Sequence, residues 1–169
     1  MLVIKIIVYA FIFLSSSCIG LLISRKYTDR EKELKEFKKA LNMFKTKIKF
    51  TYEPIQEIFN QISKNIDSNV GHVFKIASNN MRDYSADEAW RMALDIRILN
   101  IETEDLNILK DFSKLLGKTD IQGQISQIDL TNVFLDEQIQ KATRERMKNE
   151  KLYRTLGMIA GLAIVIVLM

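Results

Sequence analysis

Charge is withheld from both ends of this chain, and that partition constrains the fold more than any motif does. From Met1 to Ser24 the only charged side chain is Lys5, and Thr155 to Met169 carry none, while nearly all the charge lies between Arg25 and Arg154. The overall figures, 47% hydrophobic and 27% charged over 169 residues, conceal the partition because they match an average globular chain.

The first apolar run, LVIKIIVYAFIFLSSSCIGLLIS, is long enough to cross a bilayer at ~1.5 Å per residue, with Lys5 near enough to its start to extend the amine to the interface. We read 1–24 as a transmembrane anchor rather than a cleaved signal, since in LSSSC the leucine, Leu14, stands one place too far from Cys18 for a lipoprotein site. The last run, 155–169, reaches only ~22 Å as a helix, against a hydrocarbon core of ~30 Å. Lys151 and Arg154 can snorkel and Tyr153 is an interfacial aromatic, so this run is read as a second, short anchor.

Orientation follows from flanking bases. Arg25, Lys26, Arg30 and Lys32 follow the first anchor, and Lys148, Lys151 and Arg154 precede the second. The positive-inside rule then places 25–154 in the cytoplasm and makes the chain a multi-pass protein of the cell membrane. Gly157 and Gly161 form a GxxxG pair, and Ser16 with Gly20 gives a small-xxx-small pair. Such faces let helix backbones approach closely in lipid, so the two anchors are expected to pack on each other.

The charged middle carries helical periodicity. Thr28 and Glu31 form a T-x-x-E capping box ahead of an apolar seam, Leu34, Phe37, Leu41, Phe44 and Ile48. Pro54, the only proline, suits a helix start, and Ile55, Ile58, Phe59 and Ile62 continue from it. Asp67 to Gly71 reads as a loop, followed by a shorter helix through Val73, Phe74, Ala77 and Met81. Ser85 and Glu88 make a second capping box before Ala89, Trp90, Ala93 and Leu94. A helix from Thr103 carries Leu106, Leu109, Phe112 and Leu116 up to Gly117. Asp120 can cap the last one, in which Ile121, Ile125, Ile128, Leu135, Ile139 and Ala142 keep a heptad spacing broken by Asn132. No segment alternates with period two. The expected fold is all-α: a cytoplasmic bundle of five or six helices, 25–154, flanked by an N-terminal and a C-terminal transmembrane helix.

Chemistry is sparse. His72 is the only histidine and Cys18 the only cysteine, so no Cys/His zinc set, histidine-containing serine triad or disulfide can be assembled. Acidic pairs such as Glu102 with Glu104, or Asp87 with Glu88, read as helix-start charges, and the isolated glycines make no phosphate loop. We expect no catalytic residue, no cofactor and no metal, hence no enzyme. Bases and acids alternate through the middle and the net charge is only +4, so nucleic acid is not an indicated partner. Two charged sets remain as candidate partner contacts: Lys38, Lys39, Lys45, Lys47 and Lys49, which could also meet lipid headgroups, and Asp136, Glu137, Lys141, Arg144 and Glu145.

The order of these features resembles the stage III sporulation protein AB family of spore-forming Firmicutes. The resemblance spans essentially the whole chain and rests on GLLISRKYTDREKELKEFKKAL, FTYEPIQEIFNQIS, ADEAW, LLGKTDIQGQISQIDL and above all KLYRTLGMIAGLAIVIVLM. One departure is Ile55 where the family usually has leucine after its proline. The resemblance implies a fold similar to the cytoplasmic domain of the inner-membrane platform proteins of type II secretion and type IV pilus machines. It further implies residence in the mother-cell membrane around the forespore, within a channel complex, with a secretion-type ATPase and other channel membrane proteins as partners. A homo-oligomer fits the same picture. A membrane-bound helical signalling or assembly adaptor unconnected with secretion is the alternative, separable by whether a secretion ATPase gene lies alongside.

Overall fold

The computed structural model describes residues 2–168, and among them every regular element is a helix. These are α1 (Leu2–Phe50), α2 (Ile55–Asn65), α3 (Asn69–Asn80), α4 (Ala86–Leu94), α5 (Thr103–Phe112), a 3₁₀ turn (Ser113–Leu115) and α6 (Ile121–Leu168). The chain is therefore all-α, and α1 and α6 each carry a stretch long and apolar enough to cross a membrane. The side chain of Lys5, expected at the interface, lies outside the described residues.

Two compact units divide the chain: a terminal unit, Met1–Glu31 with Lys141–Met169, and a central unit, Lys32–Gln140. Both α1 and α6 contribute to each.

In the central unit the apolar seam read from the sequence is buried: Leu34, Phe37, Leu41 and Phe44 have no exposure. Trp90 sits at the middle of an aromatic cluster, its ring centroid 4.9 Å from Phe74, 5.5 Å from Phe59, 5.6 Å from Phe112 and 6.3 Å from Phe37. All four of these pairs meet edge to face, the arrangement that the quadrupoles of the rings favour. The indole N–H, which would be costly to bury alone, donates to the Leu109 carbonyl at 2.7 Å. Phe44 and Phe59 touch across the turn after α1, with centroids 5.2 Å apart. The turn itself takes Tyr52 into the left-handed region at φ 53°, and Pro54 then precedes α2.

Local signals set several helix starts. The Glu88 carboxylate accepts the Ser85 backbone N–H at 3.2 Å, as a capping box requires. Asp105 does the same for the Glu102 N–H at 2.9 Å, so Glu102 takes the capping place ahead of Thr103. Asp120 accepts the Gly123 N–H at 2.8 Å and caps α6. Gly117, at φ +73°, lies in the turn that follows the 3₁₀ segment.

Two expectations fail. Thr28 and Glu31 start no helix, because α1 already runs through them and the backbone N–H groups there have partners one turn back. Asp67 to Gly71 is not all loop, since α3 begins at Asn69. Gly71 is glycine for a different reason: a Cβ there would lie 1.7 Å from the Ile66 carbonyl oxygen, so only a bare backbone admits the preceding loop so close.

Candidate functional site

The terminal unit is an antiparallel helix pair built on small residues. Ser16 on α1 donates its hydroxyl to the Gly157 carbonyl on α6 at 2.8 Å. Further toward the N-terminus of α1 the Tyr9 hydroxyl donates to the Leu168 carbonyl at 2.8 Å. On the side of Ser16 away from Tyr9 the backbones nearly touch: a Cβ at Gly20 would lie 2.9 Å from the Gly157 Cα and 2.7 Å from the Tyr153 carbonyl oxygen. A Cβ at Gly161 would meet the Phe13 Cα at 3.2 Å. The structure thus brings Ser16, Gly20, Gly157 and Gly161 onto one seam.

Almost everything else on this pair faces outward. Only 11% of the apolar stretch in α1 and 6% of that in α6 is buried, so these are not core helices of a globular domain. Ile4, Ile7, Phe11, Leu14 and Leu22 on one helix, and Ile159, Leu162, Ile166 and Val167 on the other, present large apolar side chains to the surroundings. Polar groups begin one end of the seam. Tyr27 and Tyr153 stack at 5.9 Å with planes 12° apart. Beyond them two ion pairs cross: Arg30 to Glu145 at 2.6 Å and Arg146 to Glu31 at 2.9 Å. Arg30 and Glu31 have side chains only 4% exposed, so each needs its opposite charge. Adjacent residues of opposite sign on α1 meet adjacent residues of opposite sign on α6, which fixes their register.

The charged residues singled out as partner contacts do not form two free surfaces. Lys38 is paired with Asp136 at 2.5 Å, and Lys45 with Asp129 at 2.5 Å. Between these pairs Asn132, the break in the heptad, donates its side-chain amide to the Asn42 side-chain carbonyl at 3.0 Å. Lys38, Asn42 and Lys45 therefore meet Asp136, Asn132 and Asp129 in reverse order, and the α1 and α6 segments of the central unit run antiparallel. Lys39 and Lys49 are exposed and Lys47 half-buried, with the Lys49 ammonium 5.3 Å from the Phe50 ring centroid. Glu137 is exposed in the central unit. Arg144 is exposed, Lys141 half-buried and Glu145 paired with Arg30, all three in the terminal unit.

Two features had no signal in the sequence reading. Glu33, 5% exposed, is an inward carboxylate that accepts the Asn100 backbone N–H at 2.6 Å and the amides of Asn100 and Asn69 at 3.0 and 3.1 Å. It ties α1 to the start of α3 and to the linker between α4 and α5. The second is an exposed apolar patch on α6, Leu130, Val133 and Phe134, outside the heptad positions Ile128, Leu135 and Ala142 that are buried. Among the described residues no three His, Cys, Asp or Glu side chains gather in a way that could hold a metal ion.

The family model described as stage III sporulation protein AB matches residues 5–169. Stage III sporulation protein AB of Bacillus subtilis (strain 168) is 27% identical to this chain over 169 residues, covering 98% of this chain and 99% of that protein. A solved structure of stage III sporulation protein AB superposes with a TM-score of 0.67 at 22% identity, over 71% of this chain and 98% of that one, a likeness of fold.

Proposed function

The chain belongs to the stage III sporulation protein AB family, and from that premise we propose that it is a non-enzymatic membrane platform of the channel complex between mother cell and forespore. In this reading residues 1–24 and 155–169 are the anchors, and 25–154 form the cytoplasmic part that docks a secretion-type ATPase to the other membrane proteins of the complex. Its membrane is the mother-cell membrane around the forespore.

The observation that carries the reading is the seam of the terminal unit. A cleaved signal would have no reason to fit α6, yet Gly20 and Gly157 approach so closely that neither tolerates a side chain. Two paired anchors, with Arg25, Lys26, Lys148, Lys151 and Arg154 on their charged side, favour a hairpin inserted with the bases in the cytoplasm. A helical body fixed at the membrane, with no metal-binding donor set assembled among the described residues, suits a scaffold better than a catalyst.

Purification of the full chain from sporulating cells in mild detergent, with identification of what accompanies it, tests this. A secretion-type ATPase and channel membrane proteins are expected in the eluate. Recovery of the membrane-bound chain without either would overturn the platform role.

A further inference from the structure

A groove of about 540 Å³ runs between α5 and the central-unit part of α6, and we infer that it docks a basic amphipathic helix from a partner protein. The inference rests on the scaffold reading only in taking the partner to be a protein.

The walls of the groove are two helical stripes. Gln127, Leu130, Phe134 and Glu137 follow one another at three- and four-residue steps on α6, and Glu104, Ile108 and Asp111 do the same on α5. Each is one face of a helix. From Gln127 to Gln138 the α6 wall extends ~17 Å at the helical rise, about three turns. Two helices that present facing stripes of this length leave room for a third helix to pack along them.

The floor is apolar where a solvated helix would be polar. Leu130 is 50% exposed and Phe134 43%, and Val133 beside them is 56% exposed. Burying such side chains against a partner's apolar face is the favourable term in helix-in-groove recognition. The rim supplies the sign of the partner's charge. Glu104, Asp111 and Glu137 line it, against one lysine, Lys114, which is itself paired with Asp111 at 2.7 Å. A rim of carboxylates repels acidic segments and anionic headgroups and attracts lysine or arginine flanking an apolar stripe.

The experiment uses the full chain in nanodiscs of neutral lipid and two fluorescent peptides. Both have leucines at positions i, i+3, i+4 and i+7; one carries lysines elsewhere and the other glutamates. Fluorescence anisotropy is expected to show the lysine peptide binding at least roughly tenfold more tightly than the glutamate one. Combining Leu130→Ala with Phe134→Ala is expected to cut that affinity roughly tenfold. Both residues are exposed, so near-ultraviolet circular dichroism of Trp90 should remain unchanged. Glu137→Lys should weaken binding, and Asp67→Lys, which changes the charge of an exposed acid outside the groove, should not. Equal binding of the two peptides, full affinity in the double variant, or equal losses from Glu137→Lys and Asp67→Lys would each overturn the inference. So would a wild-type dimer in sedimentation that becomes a monomer in the double variant, because the occupant would then be a second copy. Peptide binding reads the groove and co-purification of the ATPase reads the platform role, so either can fail without the other.

Discussion

The central and terminal units hold their helices together by opposite choices of side chain. In the central unit Phe37, Phe44, Phe59, Phe74, Trp90 and Phe112 fill the space between helices with rings. In the terminal unit Gly20 and Gly157 hold two helices together by having nothing between them. The difference follows from the surroundings each unit suits. In water, removing apolar area from solvent drives association, so large side chains are advantageous. Against lipid tails that gain vanishes, and close backbone approach with an interhelical hydrogen bond, here Ser16 to Gly157, takes its place.

The largest expected effect lies in the ring cluster. Trp90→Ala should destabilise the central unit by ~3–5 kcal/mol, since it removes a fully buried indole on which four other rings pack. Thermal melts of the full chain in detergent, followed by far-ultraviolet circular dichroism, measure this. Trp90→Phe refills much of the space but leaves the Leu109 carbonyl without its donor, and should cost less, ~1–3 kcal/mol. A loss from Trp90→Ala no greater than that from Trp90→Phe would show that the ring packing matters less than the hydrogen bond.

Next comes the seam. Gly157→Leu forces a branched side chain where a Cβ already lies 2.9 Å from the Gly20 Cα, an overpacking cost of ~1–3 kcal/mol confined to the helix pair. With Cys18 replaced by serine, cysteines introduced at Tyr27 and Tyr153, whose rings stack at 5.9 Å, report whether the pair stays closed. Cross-linking should fall several-fold while the near-ultraviolet signal of Trp90, the only tryptophan, persists. Undiminished cross-linking would show that the seam yields more easily than its spacing implies.

Glu33 cuts across the comparison, because it joins elements of the central unit by polar contacts. Glu33→Ala strands the Asn100 N–H and should cost ~1–3 kcal/mol in the same melts. Glu33→Gln, which keeps an acceptor, should lose less. Equal losses would mean that the negative charge itself, and not the acceptor geometry, ties α1 to the linker.

Local patterns explain why some of this was legible in the sequence and some was not. Ser85 with Glu88, and the helical spacing that runs into Trp90, are complete within a few residues, so the pattern carries its own structure. T-x-x-E at Thr28 looks the same, but a capping box matters only where the chain before it is not helical, and here α1 is already formed. The Glu31 side chain instead meets Arg146, a residue no local window contains. Glu33 sits in EKELKE among charges that look solvated, and its inward direction depends on Asn69 and Asn100 arriving from elsewhere. Leu130 and Phe134 fall between heptad positions, so a one-face reading of α6 passes over a second face that becomes a wall only when α5 lies beside it. The paired Lys38 and Lys45 were likewise indistinguishable from free surface bases until Asp136 and Asp129 were placed opposite.

Those surface pairs should contribute less than any of the contacts above. Lys38 is 35% exposed and Asp136 47%, so water screens the attraction, and a double-mutant cycle should return ~0.2–1 kcal/mol. Added salt should shrink it further. A larger coupling would mean that the neighbouring Asn42 to Asn132 contact shares in the pair and that α1 and α6 are joined as strongly by polar groups as by their seam of apolar ones.

The smallest expected effect is a pH dependence at the start of α4. Lys118 donates to the Asp87 carboxylate at 2.7 Å and the Ser85 hydroxyl donates at 2.8 Å, and together they hold its pKa below the ordinary carboxylate value. Because the folded value is the lower one, the stabilisation is present above the unfolded pKa of ~3.9 and is lost as pH falls through the folded value. Lys118 is 54% exposed, so solvent weakens the pair and the contribution is slight. Asp87→Asn should therefore be a little less stable than the wild type at neutral pH, with the gap closing only in the acid range below ~3.9. A gap that stayed constant to the bottom of that range would assign the loss to the hydrogen bonds, which an amide makes less well, and not to the charge.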